Sequence, residues 1–144
     1  MAFHFRLEKI LHFVRLKETV KKMEVAAAIQ RVQFMTDRLE QLSIDIRSML
    51  ARFHSSEAQA WSQYHSAKIA HDAREVKKAE KILFGEKENL ARKKRDLERI
   101  FKKKKSLESL KEKRLEEYRL EESRKQQKRL DDIYQMSQSV SRFE

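Results

Sequence analysis

The sequence predicts an all-α protein folded as a long antiparallel two-helix coiled-coil hairpin. The chain has 144 residues with one glycine and no proline, so little in it interrupts a helix. Charged residues make up 40% of the chain and apolar residues another 40%. That balance is typical of long helices, since a compact domain carries less charge and a disordered chain fewer apolar residues. Apolar residues also recur at intervals of three and four in the first third of the chain.

The first predicted helix spans residues 3–53. Steps of four and three alternately from residue 7 give fourteen positions, twelve of them apolar: Leu7, Leu11, Val14, Glu18, Lys21, Val25, Ala28, Val32, Met35, Leu39, Leu42, Ile46, Met49 and Phe53. Only a 3.5-residue repeat keeps one seam facing a partner helix as both supercoil. We therefore expect these residues to form the seam of a coiled coil. The alternative is an amphipathic helix of a compact bundle.

A turn is predicted at residues 54–57. Ser56 is followed three residues later by Gln59, the spacing of a capping box that starts a new helix. The competing hinge is Gly85, the only glycine, which could end a helix in a left-handed conformation. No capping residue follows Gly85 within three positions, and a seven-residue leucine interval continues through it. The turn near residue 55 is therefore favoured.

The second predicted helix spans residues 57–140. Folding it back on the first helix places Leu107 opposite Leu7, so residues from about 110 onward overhang the hairpin. Good helix formers fill this overhang, but its apolar residues are too sparse to bury a continuous stripe. The overhang is therefore either an exposed helix with a small apolar face or a helix that a partner covers.

The residues that catalysis or metal binding would need do not occur in suitable patterns. There is no cysteine, and one glycine cannot build a phosphate-binding loop or a nucleophile elbow. No two histidines stand three or four residues apart among His4, His12, His54, His65 and His71. We expect no enzyme, no metal, no cofactor and no small-molecule substrate.

The net charge of +11 is concentrated in one block. Residues 92–105 hold nine basic and two acidic side chains, a net of +7. Such a block suits nucleic acid, an anionic membrane or an acidic protein, and a solvated helix face is the plainer interpretation. Phe101 is the only aromatic residue in the block, which argues against nucleic acid because single strands bind on several stacking aromatics.

The two ends of the chain resemble the flagellar export protein FliJ family. The opening FHFRLEKILHFVRLKE is similar to that family's Phe-x-Phe-x-Leu start. The closing LESLKEKRLEEYRLEESRKQQKRLDDIYQ is similar to its C-terminal pattern, with the element Leu130, Asp131, Asp132 and Ile133 weighing most. The resemblance implies an antiparallel helical hairpin like the central stalk of rotary ATPases. It also implies a cytoplasmic component of the flagellar type III export apparatus, associated peripherally with the inner face of the membrane.

The resemblance implies partners for both ends of the hairpin. A hexameric export ATPase would clasp the C-terminal residues in its centre, through Leu115, Tyr118, Leu120, Arg124, Lys125, Lys128, Arg129, Leu130 and Ile133. The cytoplasmic part of the membrane export gate would contact the tip-proximal residues Leu42, Asp45, Met49, Trp61 and Tyr64. Members of the family have also been discussed as chaperones or chaperone-escort factors, so export chaperones are further expected partners.

Two rival functions come from other classes of protein. One is a basic coiled-coil module that binds nucleic acid or an anionic membrane through residues 92–105. The other is a self-assembling structural coiled coil. Charged residues interrupt the apolar N-terminus, including Arg6, Glu8 and Lys9, and no 18 apolar residues run together. We therefore expect neither a signal peptide nor a membrane span.

Overall fold

The computed structural model describes residues 2–53 and 62–140, which form two long helices packed against each other. Helix α1 is Glu8–Phe53, with 46 residues, and helix α2 is Ser62–Val140, with 79 residues. The predicted class, an all-α two-helix hairpin, is confirmed. The turn predicted at residues 54–57 and the first residues of the second predicted helix lie outside the described residues.

Gly85 does not form the hinge that was its alternative role. It lies inside α2, and no described glycine has a positive φ. A Cβ built at Gly85 would meet no atom within 4 Å, so an ordinary helical backbone passes through an open position. The sequence lacks the residues that end a helix here, and the glycine only weakens the helix locally.

The residues predicted to form the seam of α1 lie on the buried side of this helix. All thirteen seam positions from Leu7 to Met49 are buried or half-buried, and Phe53 is the one member whose side chain is not described. Among them, Leu11 and Ala28 have no exposed surface. Leu39, Leu42, Ile46 and Met49 are half-buried, which is consistent with positions in or beside the seam.

Helix α1 begins at Glu8, five residues after the predicted start at residue 3. The Glu8 amide donates to the Phe5 carbonyl oxygen at 3.0 Å, so the chain enters the helix through a turn. Phe5 is buried and the Phe3 ring lies 5.7 Å from the Tyr118 ring. The first residues therefore bury the Phe5 side chain and place the Phe3 ring against Tyr118 in place of extending the helix.

The described residues form two compact units. One contains residues 18–99, in which Val25 and Ala28 of α1 and Ala79 of α2 are buried. Two acidic side chains are buried in the same unit. Each forms an ion pair with a lysine four residues away on its own helix. Glu18 is paired with Lys22 at 2.9 Å, and Asp72 with Lys68 at 3.1 Å.

The other unit contains residues 2–17 and 100–140 of the described chain. Phe5 and Leu11 form its buried core. Two ion pairs join α1 to α2 here, Glu8 with Lys111 at 2.7 Å and Arg15 with Glu108 at 3.0 Å. Rising numbers in α1 meet falling numbers in α2, so the two helices are antiparallel.

Neither described helix has the length and apolar content needed to cross a membrane.

Candidate functional site

The last turns of α2 form the most exposed part of this helix. Every residue from Ser123 to Ser139 is exposed, and this range is called the C-terminal segment below. A helix without a packed face is only marginally stable in water, because helices in proteins depend mainly on tertiary packing. The C-terminal segment therefore has the properties of a surface that a partner covers.

Apolar residues of the C-terminal segment lie together on one side. Leu130, Ile133 and Tyr134 are 66%, 63% and 64% exposed, and their spacing of three and four places them within about 100° of helix surface. Met136 is exposed beside this cluster. Large exposed apolar residues that adjoin one another indicate an interface more than scattered ones do.

Basic residues of the C-terminal segment lie away from the apolar cluster. Arg124, Lys125, Lys128 and Arg129 lie about 100° to 160° around the helix from Leu130, and all are exposed. Lys125 is bridged to Glu122 at 3.3 Å. The segment thus presents an apolar side and a charged side, on which Asp131 and Asp132 lie among the four basic residues.

The overhang begins later than predicted. Lys111, Leu115, Tyr118 and Glu122 are half-buried at intervals of three and four, and Tyr118 contacts Phe3. The prediction placed Leu107 opposite Leu7, whereas the ion pair sets Lys111 opposite Glu8. The contacts of Glu8 with Lys111, Phe3 with Tyr118 and Arg15 with Glu108 shift the register by five, seven and nine residues, which is about two helical turns. The overhang therefore starts near residue 123, and residues 110–122 have a partner within the chain.

The structure divides the predicted ATPase-binding residues into two groups. Leu115 and Tyr118 are half-buried, and Tyr118 contacts Phe3 near the chain's N-terminus. Seven others are exposed: Leu120, Arg124, Lys125, Lys128, Arg129, Leu130 and Ile133. Sequence reasoning missed Tyr134 and Met136, although the interval from Leu130 to Tyr134 is a signal that could have found Tyr134.

The predicted gate-binding residues that the structure describes are Leu42, Asp45, Met49 and Tyr64. The first three are half-buried on α1, and Asp45 accepts a hydrogen bond from the Gln41 amide at 3.1 Å. Tyr64 is exposed near the start of α2, with its ring edge-on to His65 at 5.8 Å. Trp61 lies outside the described residues. Of these residues, Tyr64 offers the most surface to a partner.

The basic block of residues 92–105 lies on α2. Seven of its nine basic side chains are exposed: Arg92, Lys94, Arg95, Arg99, Lys102, Lys103 and Lys105. A shallow groove of about 800 Å³ begins at Lys102 and Lys105 and continues to Lys113, with Ser106 and Ser109 along it. These groups could hold an anion weakly, because exposed lysines remain hydrated.

A second exposed apolar surface lies on α1 in the unit of residues 18–99. Val20, Met23, Ala27, Gln30 and Phe34 are all exposed or half-buried, and we name this set the outer face. Each lies two residues after a seam position, about 200° around α1. The seam positions alone do not identify this second series of three-and-four intervals, which can be read from the same stretch of sequence.

A cleft of about 370 Å³ adjoins the outer face. Ala27, Phe34 and Met35 of α1 and Ile82 of α2 line it, together with Glu86. The Glu86 Oε2 atom is buried and has no hydrogen-bond partner among the described residues. A buried carboxylate oxygen left unpaired costs free energy, so a donor from outside would stabilise it.

Ion pairs at the surface, and not burial in a cleft, cause the carboxyl pKa shifts. The Lys111 hydrogen bond lowers the pKa of Glu8, the Lys21 hydrogen bond that of Glu24, and the Lys78 hydrogen bond that of Glu75. None is the raised pKa that a carboxyl general acid requires. Within residues 2–53 and 62–140, no three His, Asp or Glu side chains come together to hold a metal ion.

Comparison with known proteins found no matching family model, no matching curated protein and no matching solved structure.

Proposed function

We propose that the chain is a non-enzymatic stalk of a flagellar type III protein export apparatus. Its C-terminal segment enters the centre of a hexameric export ATPase, and the tip-proximal part of the hairpin contacts the cytoplasmic part of the membrane export gate. The protein would then be cytoplasmic and peripherally associated with the membrane, and chaperone escort is a further role of the same kind. The resemblance of both ends to the FliJ family supports this proposal.

The exposed C-terminal segment is the observation that carries the proposal. It spans seventeen residues of continuous helix, from 123 to 139, that no other described part of the chain covers. A ring that surrounds such a helix could receive Leu130, Ile133 and Tyr134 on one side and the basic residues on another. Its inner wall would supply the packing surface that the chain lacks.

The binding energy should come mainly from the apolar cluster. Large side chains that enter pockets dominate most interfaces, whereas exposed charges mainly steer the encounter. Reversal of Arg124, Lys125, Lys128 and Arg129 should therefore slow association and make it more sensitive to salt. Loss of Leu130 and Ile133 should instead speed dissociation.

The test is a binding measurement between the purified chain and the export ATPase hexamer. The double variant Leu130→Glu and Ile133→Glu should abolish binding, because two charges would replace the apolar contacts. Phe84→Glu is the matched control, since Phe84 is 66% exposed on α2 but far along the chain from the C-terminal segment. Normal ATPase binding by the double variant would overturn the stalk assignment.

The exposed basic block supports a second candidate, an anion-binding coiled coil. Binding to DNA and to vesicles containing anionic lipid should then weaken steeply with salt, because released counterions drive it. Reversal of Lys102 and Lys105 should reduce this binding, whereas the Leu130 and Ile133 variants should leave it unchanged. The two sets of variants therefore separate the two candidate functions.

A further inference from the structure

We propose that one side of the first turns of α1 binds directly to an anionic lipid bilayer and inserts three apolar side chains among the lipid headgroups. This surface consists of Lys9, Ile10, Phe13, Leu16 and Lys17, and it is called the N-terminal face below. The membrane association proposed above is through the gate protein, whereas this contact is with lipid. It does not depend on the export function, because none of its residues is among those proposed for the ATPase or the gate.

The N-terminal face combines large exposed apolar side chains with lysines. Ile10, Phe13 and Leu16 are 50%, 56% and 53% exposed, and Lys9 and Lys17 are exposed as well. A rotation of about 100° per residue places all five side chains within about 120° of the helix surface. Helices that lie in the plane of a membrane interface carry phenylalanine and leucine together with lysine in this way.

No acidic side chain lies on the N-terminal face. Glu8 and Glu18, the acidic residues of this stretch of α1, lie about 140° around the helix from Phe13. Glu8 pairs with Lys111 of α2 at 2.7 Å, and Glu18 is buried. Two lysines and no carboxylate give the face a charge of +2, which is complementary to anionic headgroups. The net charge of +11 attracts the whole chain to the same surface.

The position of the lysines favours a bilayer over a partner helix. Lys9 and Lys17 each lie about 40° from Phe13, between the apolar side chains and not outside them. The Lys17 Nζ atom lies 5.0 Å from the centre of the Phe13 ring. A helix packed on this face would remove both ammonium groups from water, which is costly. At a bilayer, the lysine stems lie along apolar surface while the ammonium groups reach the headgroups.

The apolar side chains of the face favour a bilayer over a nucleic acid. Both ligands offer phosphates to Lys9 and Lys17, but a bilayer also offers an apolar layer to Ile10, Phe13 and Leu16. Binding to lipid should therefore require the apolar residues and the lysines together, whereas binding to DNA would depend mainly on cations.

A fluorescent label on the face tests insertion directly. The chain has no cysteine, so the full-length variant Leu16→Cys carries one environment-sensitive label and leaves Phe13 in place. With vesicles of equimolar phosphatidylcholine and phosphatidylglycerol, the emission should shift to the blue and brighten, because the label enters an apolar layer. Phe84→Cys is the matched control, since Phe84 is 66% exposed on α2, and its label should not shift. Equal shifts at both positions, or none at position 16, would overturn the proposal.

Co-sedimentation of unlabelled chain with the same vesicles tests the apolar residues. The double variant Ile10→Ser and Phe13→Ser should bind the vesicles at least about tenfold more weakly, because two large apolar side chains no longer leave water. Its binding to DNA should equal that of the wild type. Both side chains are exposed, so circular dichroism should show unchanged helix content. Equal vesicle binding by the variant and the wild type would show attraction by charge alone and would overturn the proposal.

A charge series in the same measurement tests the lysines. Lys9→Gln and Lys17→Gln should each weaken vesicle binding by about fivefold, since each removes one cation from the anionic surface. The double variant Lys103→Gln and Lys105→Gln is the matched control, because it removes the same charge from exposed positions of the basic block. It should weaken binding less than the Lys9 and Lys17 double variant does. A larger loss in this control would place the lipid contact in the basic block and refute the N-terminal face.

Discussion

Leu11 is the largest side chain with no exposed surface among the described residues. It packs in the unit that contains the start of α1, where Phe5 is the other buried apolar residue. Leu11→Ala should therefore lower the free energy of unfolding by roughly 2 to 4 kcal/mol, because it removes buried methylenes and leaves a cavity. Denaturant unfolding followed by circular dichroism measures this change. Leu16→Ala is the control, since Leu16 is half-exposed and its truncation should cost less than about 0.5 kcal/mol. Equal losses of unfolding free energy in the two variants would contradict the placement of Leu11 in the seam.

Acid should weaken the ion pair of Glu8 with Lys111, which joins α1 to α2 in the same unit. The Lys111 hydrogen bond holds the pKa of Glu8 below its ordinary value of 4.5, so Glu8 binds a proton more weakly in the folded chain than in the unfolded one. Its stabilising contribution is therefore complete above the ordinary pKa and is lost as the pH falls through the lowered pKa. Glu8→Gln should flatten the pH dependence of unfolding free energy below about pH 5. An unchanged acid profile in this variant would show that the pair contributes nothing.

Substitution of Gly85 measures how much local helix propensity contributes to the stability of a helix as long as α2. The position is exposed, its φ is negative and added atoms meet no neighbour. Gly85→Ala should raise the unfolding free energy by about 1 kcal/mol, since alanine loses less backbone entropy on folding. Ala73→Gly on the exposed side of the same helix should lower it by a similar amount. A destabilising Gly85→Ala would indicate that the glycine is needed for a bend or a close approach.

Two truncations of α2 separate packing within the chain from binding to a partner. A chain ending at Glu122 should keep nearly the full unfolding free energy, because every described side chain that it loses, in residues 123–139, is exposed. A chain ending at Leu110 should be clearly less stable, because it also loses Lys111 and Tyr118, which contact Glu8 and Phe3. Thermal unfolding of the two chains measures the difference. Equal stability would mean that residues 111–122 contribute no packing.

The whole molecule should hydrolyse no nucleotide when purified alone. Its one glycine is in mid-helix, whereas a phosphate-binding loop needs several glycines. We expect a phosphate-release assay on the full chain to show no turnover above buffer, and added export ATPase to supply all of the activity. Turnover that persists through repeated purification of the chain would contradict this expectation.

The sequence by itself determined the helical class and the inner side of α1. An unbroken supply of helix formers and a 3.5-residue repeat are local properties, and they sufficed to identify seam positions from Leu7 to Met49. The exposed end of α2 also followed from its sparse apolar residues, as Leu130 and Ile133 show. Local spacing predicts the buried and exposed sides because it determines which side of a helix is apolar. This holds regardless of which residues that side contacts.

Only the tertiary structure decided how the two helices align. Sliding one helix by about half a heptad still places apolar residues opposite apolar residues, so the repeat left the register open. The pairs of Glu8 with Lys111 and Phe3 with Tyr118 selected one alignment, and with it the start of the overhang near residue 123. They join residues more than 100 positions apart, and the identity of such distant partners is set by the folded arrangement and not by local spacing.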